Sequence, residues 1–537
     1  MVYVGWYVGS VIGALLMLVA MTAMRHDERK HVGRFGWIVV ILLCPPVGFL
    51  LYLTLAGRKI SAEHELRGIV KMPPCPSVEV PDRCGLSNIG IRRGLAPSTP
   101  GNCVKLLAKP EEMYQYLFEL IDSATESLYV LSFIMADDDL GHKIVDKLAA
   151  KARQGVDVKL LVDGVGSFLM PDEMLDTVRD AGGEAMTFKP VSRLSRFAYL
   201  NFRNHRKLVI ADGKRAYVGG ANLVQYEITE QPDEDTWVDL CVALTGPAAC
   251  QVEAVFRSDW RFVNRDHSLD EADLQKEIPC CGVFKPKSCD SKQTESSNGK
   301  SSDGKASNRE TSDGKSGDSD SEHCKSGDCE SAKGESEHRE NSKANDGHAE
   351  HGGHDGHDGA SRVQVIPIGP DGPGEVMEDL LITAIQRATK RVWIVTPYFV
   401  PSSIAMRSLE MACRREIDVR IMFPNESDMM PADYARFEYS RDLHEAGARV
   451  LRYRDGVVHT KAVLVDDEVA FIGSANFDMR SFFLNYEVML AIHDPRILHE
   501  LGDWYTAMEA QCDDRQEPDS LRRRFFSTAA RIFGSEL

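Results

Sequence analysis

The chain has 537 residues, of which 43% are hydrophobic and 27% charged, and its formal net charge is −18. This length predicts roughly two to four domains, and the apolar content excludes a fully disordered protein. The acidic balance argues against a whole-chain surface for duplex nucleic acid. The 13 cysteines are scattered along a long chain, which argues against a small disulfide-stapled domain.

Two uncharged apolar segments open the chain, at residues 3–24 and 36–56. Each has about the 20 apolar residues that a helix needs to cross a bilayer. The first segment lacks the basic start and the small-residue cleavage site of a signal peptide, and the second follows at once. Residues 1–60 are therefore predicted to form two transmembrane helices. Their orientation stays open, because basic residues are only slightly enriched in the loop between them.

Residues 285–360 form another distinct segment, which contains no Val, Ile, Leu, Met, Phe, Trp or Tyr. A segment without apolar side chains cannot offset its ordering entropy, so we predict a disordered insert. Its His-rich end leaves weak metal binding open beside the simpler interpretation of a solvated spacer. After a linker at residues 61–100, the rest of the chain forms two blocks of comparable size, residues 101–284 and 361–537.

The two blocks share the motif H-x-K-x4-D-x6-G-[GS]-x-N. The first copy runs from His205 to Asn222, and the second from His459 to Asn476. Each copy lies on a strand-like apolar run and follows the same succession of strands and helical stretches. This alternation indicates an α/β fold with a mixed sheet in each block.

The repeated residues suit chemistry on a phosphodiester. A histidine and a lysine two positions apart on a strand point to the same face. Imidazole can attack phosphorus or move a proton near neutral pH, and an ammonium neutralises phosphate oxygens. Transfer through a covalent intermediate needs a nucleophile and a proton donor, which two facing copies would supply. A lone histidine is more often structural, but two copies of one framework are strong evidence for a site.

Three further stretches make the chain resemble the phospholipase D superfamily, and within it the bacterial cardiolipin synthases. They are N-x-R-N-H-R-K at residues 201–207, T-P-Y-F-x-P at 396–401 and D-x-R-S-F-x-x-N-x-E at 478–487. The resemblance covers all of the chain except the insert. It implies two pseudo-symmetric phospholipase D-like lobes, each a mixed β-sheet flanked by helices, behind the two transmembrane helices.

The resemblance also assigns the site. The six catalytic-motif residues are His205, Lys207, Asp212, His459, Lys461 and Asp466. His205 is expected to be the nucleophile and His459 the general acid, although the motif alone does not distinguish them. The two lysines would bind the phosphate together with Asn222 and Asn476. In such folds the motif aspartates Asp212 and Asp466 usually support the strand and the neighbouring backbone, away from the phosphate.

The carboxylates that orient the histidines are expected after the second strand of each motif. Asp239 is the candidate in the first block, and Glu487 is the candidate in the second. The alternative is that both are surface carboxylates. No metal ligand is assigned, and no cofactor is expected.

The implied reaction is phosphatidyl transfer between two phosphatidylglycerol molecules, through a phosphohistidine, with release of glycerol. If water entered instead, the same site would hydrolyse lipid, so a purely hydrolytic phospholipase D is the nearest alternative. A phosphodiesterase acting on nucleic acid is disfavoured by the net charge and the apolar N-terminal segments. A non-catalytic membrane scaffold would require broken motifs, and both are intact.

The end of the chain is a basic amphipathic stretch, in which Leu521, Phe525, Ala529 and Ile532 would share one helical face. Such a helix suits an anionic membrane surface, and packing on the domain is the open alternative. Together with the N-terminal segments, it suits the multi-pass enzyme of the bacterial inner membrane that the resemblance implies. Its expected partners are phosphatidylglycerol and anionic membrane lipids, not nucleic acid, and its oligomeric state is left open.

Overall fold

The computed structural model describes residues 85–190, 202–264 and 361–514, together with Gly9, Val11, Gly13, Val70 and Ser527. Apart from those single residues, the predicted transmembrane segments, the insert and the C-terminal amphipathic stretch lie outside the described residues. In the part that is described, none of the helices is both long and apolar enough to cross a membrane.

The first lobe alternates strands and helices before it ends in a hairpin, a further strand and a long helix. After α1 (Leu86–Arg93), its elements are β1 (Thr99–Leu107), α2 (Pro110–Ser123), β2 (Ser127–Ser132), α3 (Asp139–Arg153), β3 (Asp157–Asp163), α4 (Asp172–Asp180), β4 (Glu184–Phe188), β5 (Leu208–Ala211), β6 (Arg215–Gly219), β7 (Cys241–Thr245) and α5 (Pro247–Asn264).

The second lobe repeats this succession with three short strands and one short helix added. Its elements are β8 (Ser361–Ile368), α6 (Val376–Arg387), β9 (Arg391–Val395), β10 (Phe399–Val400), α7 (Ser403–Arg414), β11 (Asp418–Pro424), α8 (Met430–Ala446), β12 (Arg449–Tyr453), β13 (Ala462–Val465), β14 (Val469–Gly473), β15 (Phe477–Asp478), α9 (Met479–Phe483), β16 (Glu487–His493), α10 (Pro495–Glu509) and β17 (Cys512–Asp513).

Fifteen of the described strands form one sheet, in the order β17-β12-β11-β9-β13-β14-β16-β8-β1-β7-β6-β5-β2-β3-β4. Outward from its centre, β1-β7-β6-β5-β2-β3-β4 on one side corresponds to β8-β16-β14-β13-β9-β11-β12 on the other. The two lobes are therefore related by a pseudo-twofold axis. They join where β1 runs antiparallel to β8, with Thr99 opposite Val363 and Asn102 opposite Ser361.

Both halves of the sheet mix parallel and antiparallel strands, so the predicted α/β fold with a mixed sheet is confirmed. β2, β3 and β4 are parallel, as are β9, β11 and β12. The motif strands β5 and β13 run antiparallel to β2 and β9. A parallel neighbour needs a crossover connection, whereas β5–β6 and β13–β14 are hairpins, so both arrangements follow from the connection lengths.

The sheet is buried on both faces. Val130 and Leu131 are neighbours on β2 but belong to different core clusters, because successive strand side chains point to opposite faces. The cluster that contains Leu131 extends into the second lobe and includes Leu464 and Tyr486. Leu86, from the predicted linker, packs into a cluster of the second lobe. Burial of this shared core stabilises the lobes as one body.

This topology places both motifs at the same kind of edge. Leu208 at the start of β5 lies opposite Leu131 near the end of β2. Ala462 at the start of β13 lies opposite Val395, the last residue of β9. The residues just before β5 and β13 therefore emerge at the carboxyl ends of the parallel strands, where open α/β sheets bind their ligands.

Candidate active site

Each motif histidine is joined to the opposite lobe by its backbone. The backbone N–H of His205 donates to the carbonyl of Tyr486, at 2.9 Å. The backbone N–H of His459 donates to the carbonyl of Val238, at 2.7 Å. These contacts belong to two short parallel bridges between the lobes, Asn204–Tyr486 and Val238–Val458. As a result, each histidine lies beside the residue that precedes the predicted carboxylate of the other lobe.

Glu487 holds the imidazole of His205. Nδ1 of His205 lies 2.9 Å from Oε1 of Glu487 and 3.1 Å from Oε2, and the Glu487 side chain is fully buried. The Ser474 hydroxyl donates to Oε2 at 2.6 Å, and the Asn485 amide donates to Oε1 at 3.4 Å. Because Nδ1 is bound to the carboxylate, Nε2 is the nitrogen left to meet a substrate.

The surroundings of His205 favour the neutral imidazole. Burial has the largest effect and lowers the pKa of His205 to about 4. Glu487 opposes this shift, while the ammonium groups of Lys207 and Lys461 add to it. An unprotonated Nε2 has the free electron pair that a nucleophile requires.

His459 has two carboxylates, and both come from the first lobe. Its Nδ1 lies 2.8 Å from Oδ2 of Asp239 and 3.5 Å from Oε2 of Glu227. Burial and the ammonium of Lys461 act to lower the pKa of His459, but Glu227 and Asp239 outweigh them and raise it. The same side chain is therefore biased toward the protonated form here and toward the neutral form at His205.

Both motif lysines are buried and folded back on their own histidines. Nζ of Lys207 donates to the carbonyl of His205 at 2.7 Å, and Nζ of Lys461 donates to the carbonyl of His459. Burial lowers the pKa of Lys207 to about 7, with Glu487 opposing and Lys461 adding to the shift. Burial also lowers the pKa of Lys461, against the opposing charges of Asp239 and Glu227. Charges of one half-site thus act on the other, so the two form a single electrostatic unit.

The two motif asparagines have different partners. Asn222 donates its side-chain amide to Oε1 of Glu227 at 2.8 Å and its backbone N–H to Oε2 at 2.7 Å. No donor among the described residues reaches the buried Oδ1 of Asn476. In this arrangement Asn222 serves the carboxylate of His459, and a substrate phosphate would compete with Glu227 for its amide.

Gly220 and Ser474 occupy equivalent positions in the two motifs, and the structure explains why they differ. A Cβ at Gly220 would lie 2.3 Å from Oδ1 of Asp239, so only glycine leaves room for that carboxylate. At the equivalent position, the Ser474 hydroxyl donates to Glu487. The shorter carboxylate requires glycine, whereas the longer one is steadied by a hydroxyl.

The structure does not bring Asp212 and Asp466 to the histidines. Each lies in the turn after its motif strand, with a positive φ of 54° and 50° respectively. Asp212 accepts hydrogen bonds from the backbone N–H groups of residues 125–127, at 2.7–3.1 Å. Asp466 accepts from the N–H groups of residues 389–391, each at 2.8 Å. These carboxylates tie the hairpins to the entry of β2 and β9.

The structure brings the two candidate carboxylates, Asp239 and Glu487, to the histidines, together with Glu227 and Ser474, which the sequence did not single out. Glu227 lies between β6 and β7 in an irregular stretch that differs between the two blocks, so the repeat could not point to it. The sequence signal that could have pointed to Glu227 is its position as a carboxylate among the largely apolar and aromatic residues after Asn222.

Glu227, Asp239 and His459 form the one group with metal-ligand geometry within the described ranges, and their ligand atoms lie within 4.8 Å of one another. Their carboxylates already bind the amide of Asn222 and the imidazole of His459. The ammonium of Lys461 lies 3.6 Å from Asp239. The cluster therefore already holds hydrogen-bond donors and a positive charge where a cation would sit.

The family described as "Cardiolipin synthase, PLD-like domain" matches residues 117–260 and 381–508. A second family, "Phospholipase_D-nuclease N-terminal", matches residues 13–57. The chain belongs to the PLD-like cardiolipin synthase family. The resemblance that the sequence motifs predicted is thereby confirmed.

Individual relatives align over most of both chains. Major cardiolipin synthase ClsA of Bacillus subtilis is 28% identical, over 92% of this chain and 90% of its own length. Cardiolipin synthase A of Pseudomonas fluorescens is also 28% identical, over 97% of each chain. The crystal structure of a phosphatidylserine synthase from Haemophilus influenzae covers 84% of this chain and 100% of its own, with a TM-score of 0.54 and 14% identity. That likeness concerns the fold.

Proposed function

We propose that the chain is a membrane-bound cardiolipin synthase, which transfers a phosphatidyl group from one phosphatidylglycerol to another and releases glycerol. The observation that carries the proposal is the pair of motif histidines, with side chains 12% and 5% exposed, each held by a carboxylate of the opposite lobe. Relatives that align with this chain over most of their length are named cardiolipin synthases, which supports a lipid phosphodiester as substrate.

In the first step, Nε2 of His205 attacks the phosphorus of one phosphatidylglycerol. The bond from phosphorus to the glycerol oxygen breaks, and its electron pair stays on that oxygen. His459 gives the oxygen its Nε2 proton, so glycerol leaves as a neutral alcohol. The phosphatidyl group remains on His205 as a phosphohistidine.

In the second step, a headgroup hydroxyl of another phosphatidylglycerol gives its proton to His459 and attacks the phosphohistidine. The phosphorus–nitrogen bond breaks, and cardiolipin leaves with His205 restored. Two phosphatidylglycerol molecules thus become one cardiolipin and one glycerol. Lys207 and Lys461 stabilise the negative charge on the phosphate oxygens through both steps.

The assignment of roles rests on the unequal surroundings of the histidines. A nucleophile must be neutral, and burial with a single carboxylate favours this state at His205. A general acid must carry a proton, and the two carboxylates at His459 favour that state. Exchanging the roles would require both histidines to work against their surroundings.

A product analysis tests the reaction. The full chain, expressed in membranes and supplied with phosphatidylglycerol, should give cardiolipin and free glycerol by mass spectrometry. His205→Ala and His459→Ala should each abolish both products. His142→Ala, at an exposed histidine that pairs with Asp137, is the matched control and should remain active. Phosphatidic acid without cardiolipin would make the enzyme a hydrolytic phospholipase D. Activity should persist in EDTA.

Trapping of the intermediate tests the roles. With ³²P-labelled phosphatidylglycerol, acid-labile label should accumulate on the chain and should be absent from His205→Ala. Label that persists in His205→Ala and disappears in His459→Ala would reverse the assignment.

Membrane attachment through residues 1–60 is part of the same proposal. The match of the N-terminal family to residues 13–57 supports it, as do the two apolar segments of the sequence. If these residues are two helices in the inner membrane, a chain without them should leave the membrane fraction during carbonate extraction, whereas the full chain stays.

A further inference from the structure

The loop between β3 and α4, residues 164–171, exposes large apolar side chains next to the site. Phe168 is 67% exposed, Leu169 is 87% exposed, and Val165 of the same loop is 37% exposed. Single exposed apolar residues are ordinary on a soluble surface. Phe168 and Leu169, however, are adjacent and both highly exposed, and the packing of the lobe does not explain this.

This loop is fixed rather than loose. The carboxylate of Asp163 accepts from the backbone N–H of Val165 at 2.8 Å and of Gly166 at 3.2 Å. The Ser167 hydroxyl donates to the carbonyl of Phe133 at 3.0 Å and accepts from the N–H of Met135 at 3.0 Å. The hydrogen bonds of Asp163 and Ser167 therefore anchor the start of the loop, and Phe168 and Leu169 point outward from it.

The residues that anchor the loop also contact the proposed nucleophile. Asp163 also accepts from the backbone N–H of Asn204, at 2.9 Å, immediately before His205. The ring of Phe133 packs against the imidazole of His205, with centroids 4.6 Å apart. One residue thus separates the loop from the histidine, which places the exposed pair at the rim of the site.

The second lobe has a similar rim. Met430, at the start of α8 after the equivalent strand β11, is 66% exposed. Tyr226 is 39% exposed and packs on Trp237 at 4.8 Å, and Trp237 packs on His459 at 5.2 Å. Tyr226 and Trp237 come from the first lobe, so an aromatic ring of that lobe packs against each motif histidine, Phe133 at His205 and Trp237 at His459.

We propose that Phe168 and Leu169, with Met430 on the opposite rim, insert into the phospholipid leaflet from which the site draws its substrate. This inference rests on the proposed function, because a lipid with two acyl chains must bring its phosphate to histidines whose side chains are only 12% and 5% exposed. Apolar side chains at the rim let the phosphate reach the histidines while the acyl chains stay in the leaflet, and they displace water from the opening.

Photocrosslinking tests the contact without depending on activity. A benzoylphenylalanine is placed at position 168 of the full chain, reconstituted in phosphatidylglycerol vesicles, and irradiated. The expected product is a peptide that carries a lipid acyl adduct. The control position is Met411, which is 44% exposed near the end of α7, a helix that leads back to the opposite edge of the sheet. Adducts from position 168 to residues 191–201 or to a second copy of the chain, or adducts no more frequent than at position 411, would overturn the proposal.

Kinetics test its consequence. Phe168→Ser combined with Leu169→Ser should lower the rate on phosphatidylglycerol vesicles about tenfold or more, because burial of two large apolar side chains is lost. The rate on a short-chain phosphatidylglycerol, dissolved as monomers, should stay near that of the unmodified chain. Met411→Ser should change neither rate. An equal loss on both substrates, or no loss on vesicles, would overturn the proposal. If the unmodified chain turned over neither lipid, the proposed function would fail, and crosslinking alone would decide the docking surface.

Discussion

His205 and His459 carry the same side chain in opposite surroundings. The carboxylate at His205 is shared with a serine hydroxyl and an asparagine amide, whereas His459 faces two carboxylates. Neighbouring charges and burial are the terms that separate the pKa values of otherwise identical groups. A site built from a sequence repeat thereby places one residue type in two surroundings, one that favours the neutral imidazole and one that favours the protonated form.

The pH dependence of activity should report this asymmetry. In its proposed role of general acid, His459 must be protonated, so activity should be present below its raised pKa and be lost as pH rises through it. Glu227→Gln removes one negative charge at 3.5 Å and should move the alkaline limb of kcat/KM to lower pH by about one unit. Glu230→Gln, three residues along at an exposed position, is the control. An alkaline limb that stays in place in Glu227→Gln would contradict the assignment.

Asp466 is expected to contribute to the stability of the fold and not to catalysis. Its carboxylate binds three backbone N–H groups at the entry of β9, so Asp466→Ala should lower the free energy of unfolding by about 1–3 kcal/mol. Activity per folded molecule should stay within about tenfold, since the carboxylate does not touch a histidine. Asp467→Ala, at an exposed neighbour, should change stability by less than about 1 kcal/mol. A fully stable but inactive Asp466→Ala enzyme would return this residue to the catalytic set.

At the scale of elements, the site is made by the close approach of β6 to β7 and of β14 to β16. Gly219 lies opposite Cys241, and Gly473 lies opposite Met489. The next residue of each motif then meets the orienting carboxylate. Small side chains at these positions are what allow the carboxylates to reach across to the other lobe.

Gly220→Ala should therefore displace Asp239 and lower kcat by about 100-fold, as expected for a misplacement near 1 Å. Ser474→Gly removes a hydrogen bond without a clash and should cost about tenfold or less. The control is Gly502→Ala on α10, where the nearest atom to a new Cβ is 3.5 Å away. Full activity in Gly220→Ala would show that the observed position of Asp239 is not required.

The elements and most site residues could be predicted from the sequence because they repeat. The apolar runs of β5 and β13 and the spacing from His205 to Asn222 recur in the second block. Asp239 and Glu487 were candidates because each is a carboxylate that comes after the second strand of its motif. Their assignment to histidines of the opposite lobe could not be predicted, because it depends on the bridges Asn204–Tyr486 and Val238–Val458. Such tertiary pairings have no local sequence signal.

At the scale of the whole molecule, Arg206 holds the two lobes together at the site. Its guanidinium is fully buried and contacts Asp259 at 2.7 Å and Asp371 at 2.9 Å. Its Nε donates to the backbone carbonyl of Glu487 at 2.9 Å. One side chain of the first motif thus fixes the strand that carries the partner of His205. The second motif has Thr460 at the equivalent position.

Arg206→Met should lower the free energy of unfolding by about 3–5 kcal/mol, because it takes the guanidinium away from two buried carboxylates. The thermal unfolding midpoint of the full chain in detergent measures the loss, and Arg206→Lys should recover part of it. Arg414→Met, at an exposed arginine of α7, should leave the midpoint in place. An unchanged midpoint in Arg206→Met would mean that the lobes are joined by their shared core alone.

The crossing of histidines and carboxylates also constrains how such a protein can arise by duplication. A chain with one lobe would gain both partners only as a symmetric dimer, in which each histidine has the same neighbours. When the two copies are joined in one chain, the two histidines no longer need to have the same neighbours. Glu227 can then appear beside one histidine and Ser474 beside the carboxylate of the other, so each copy evolves toward a separate chemical task.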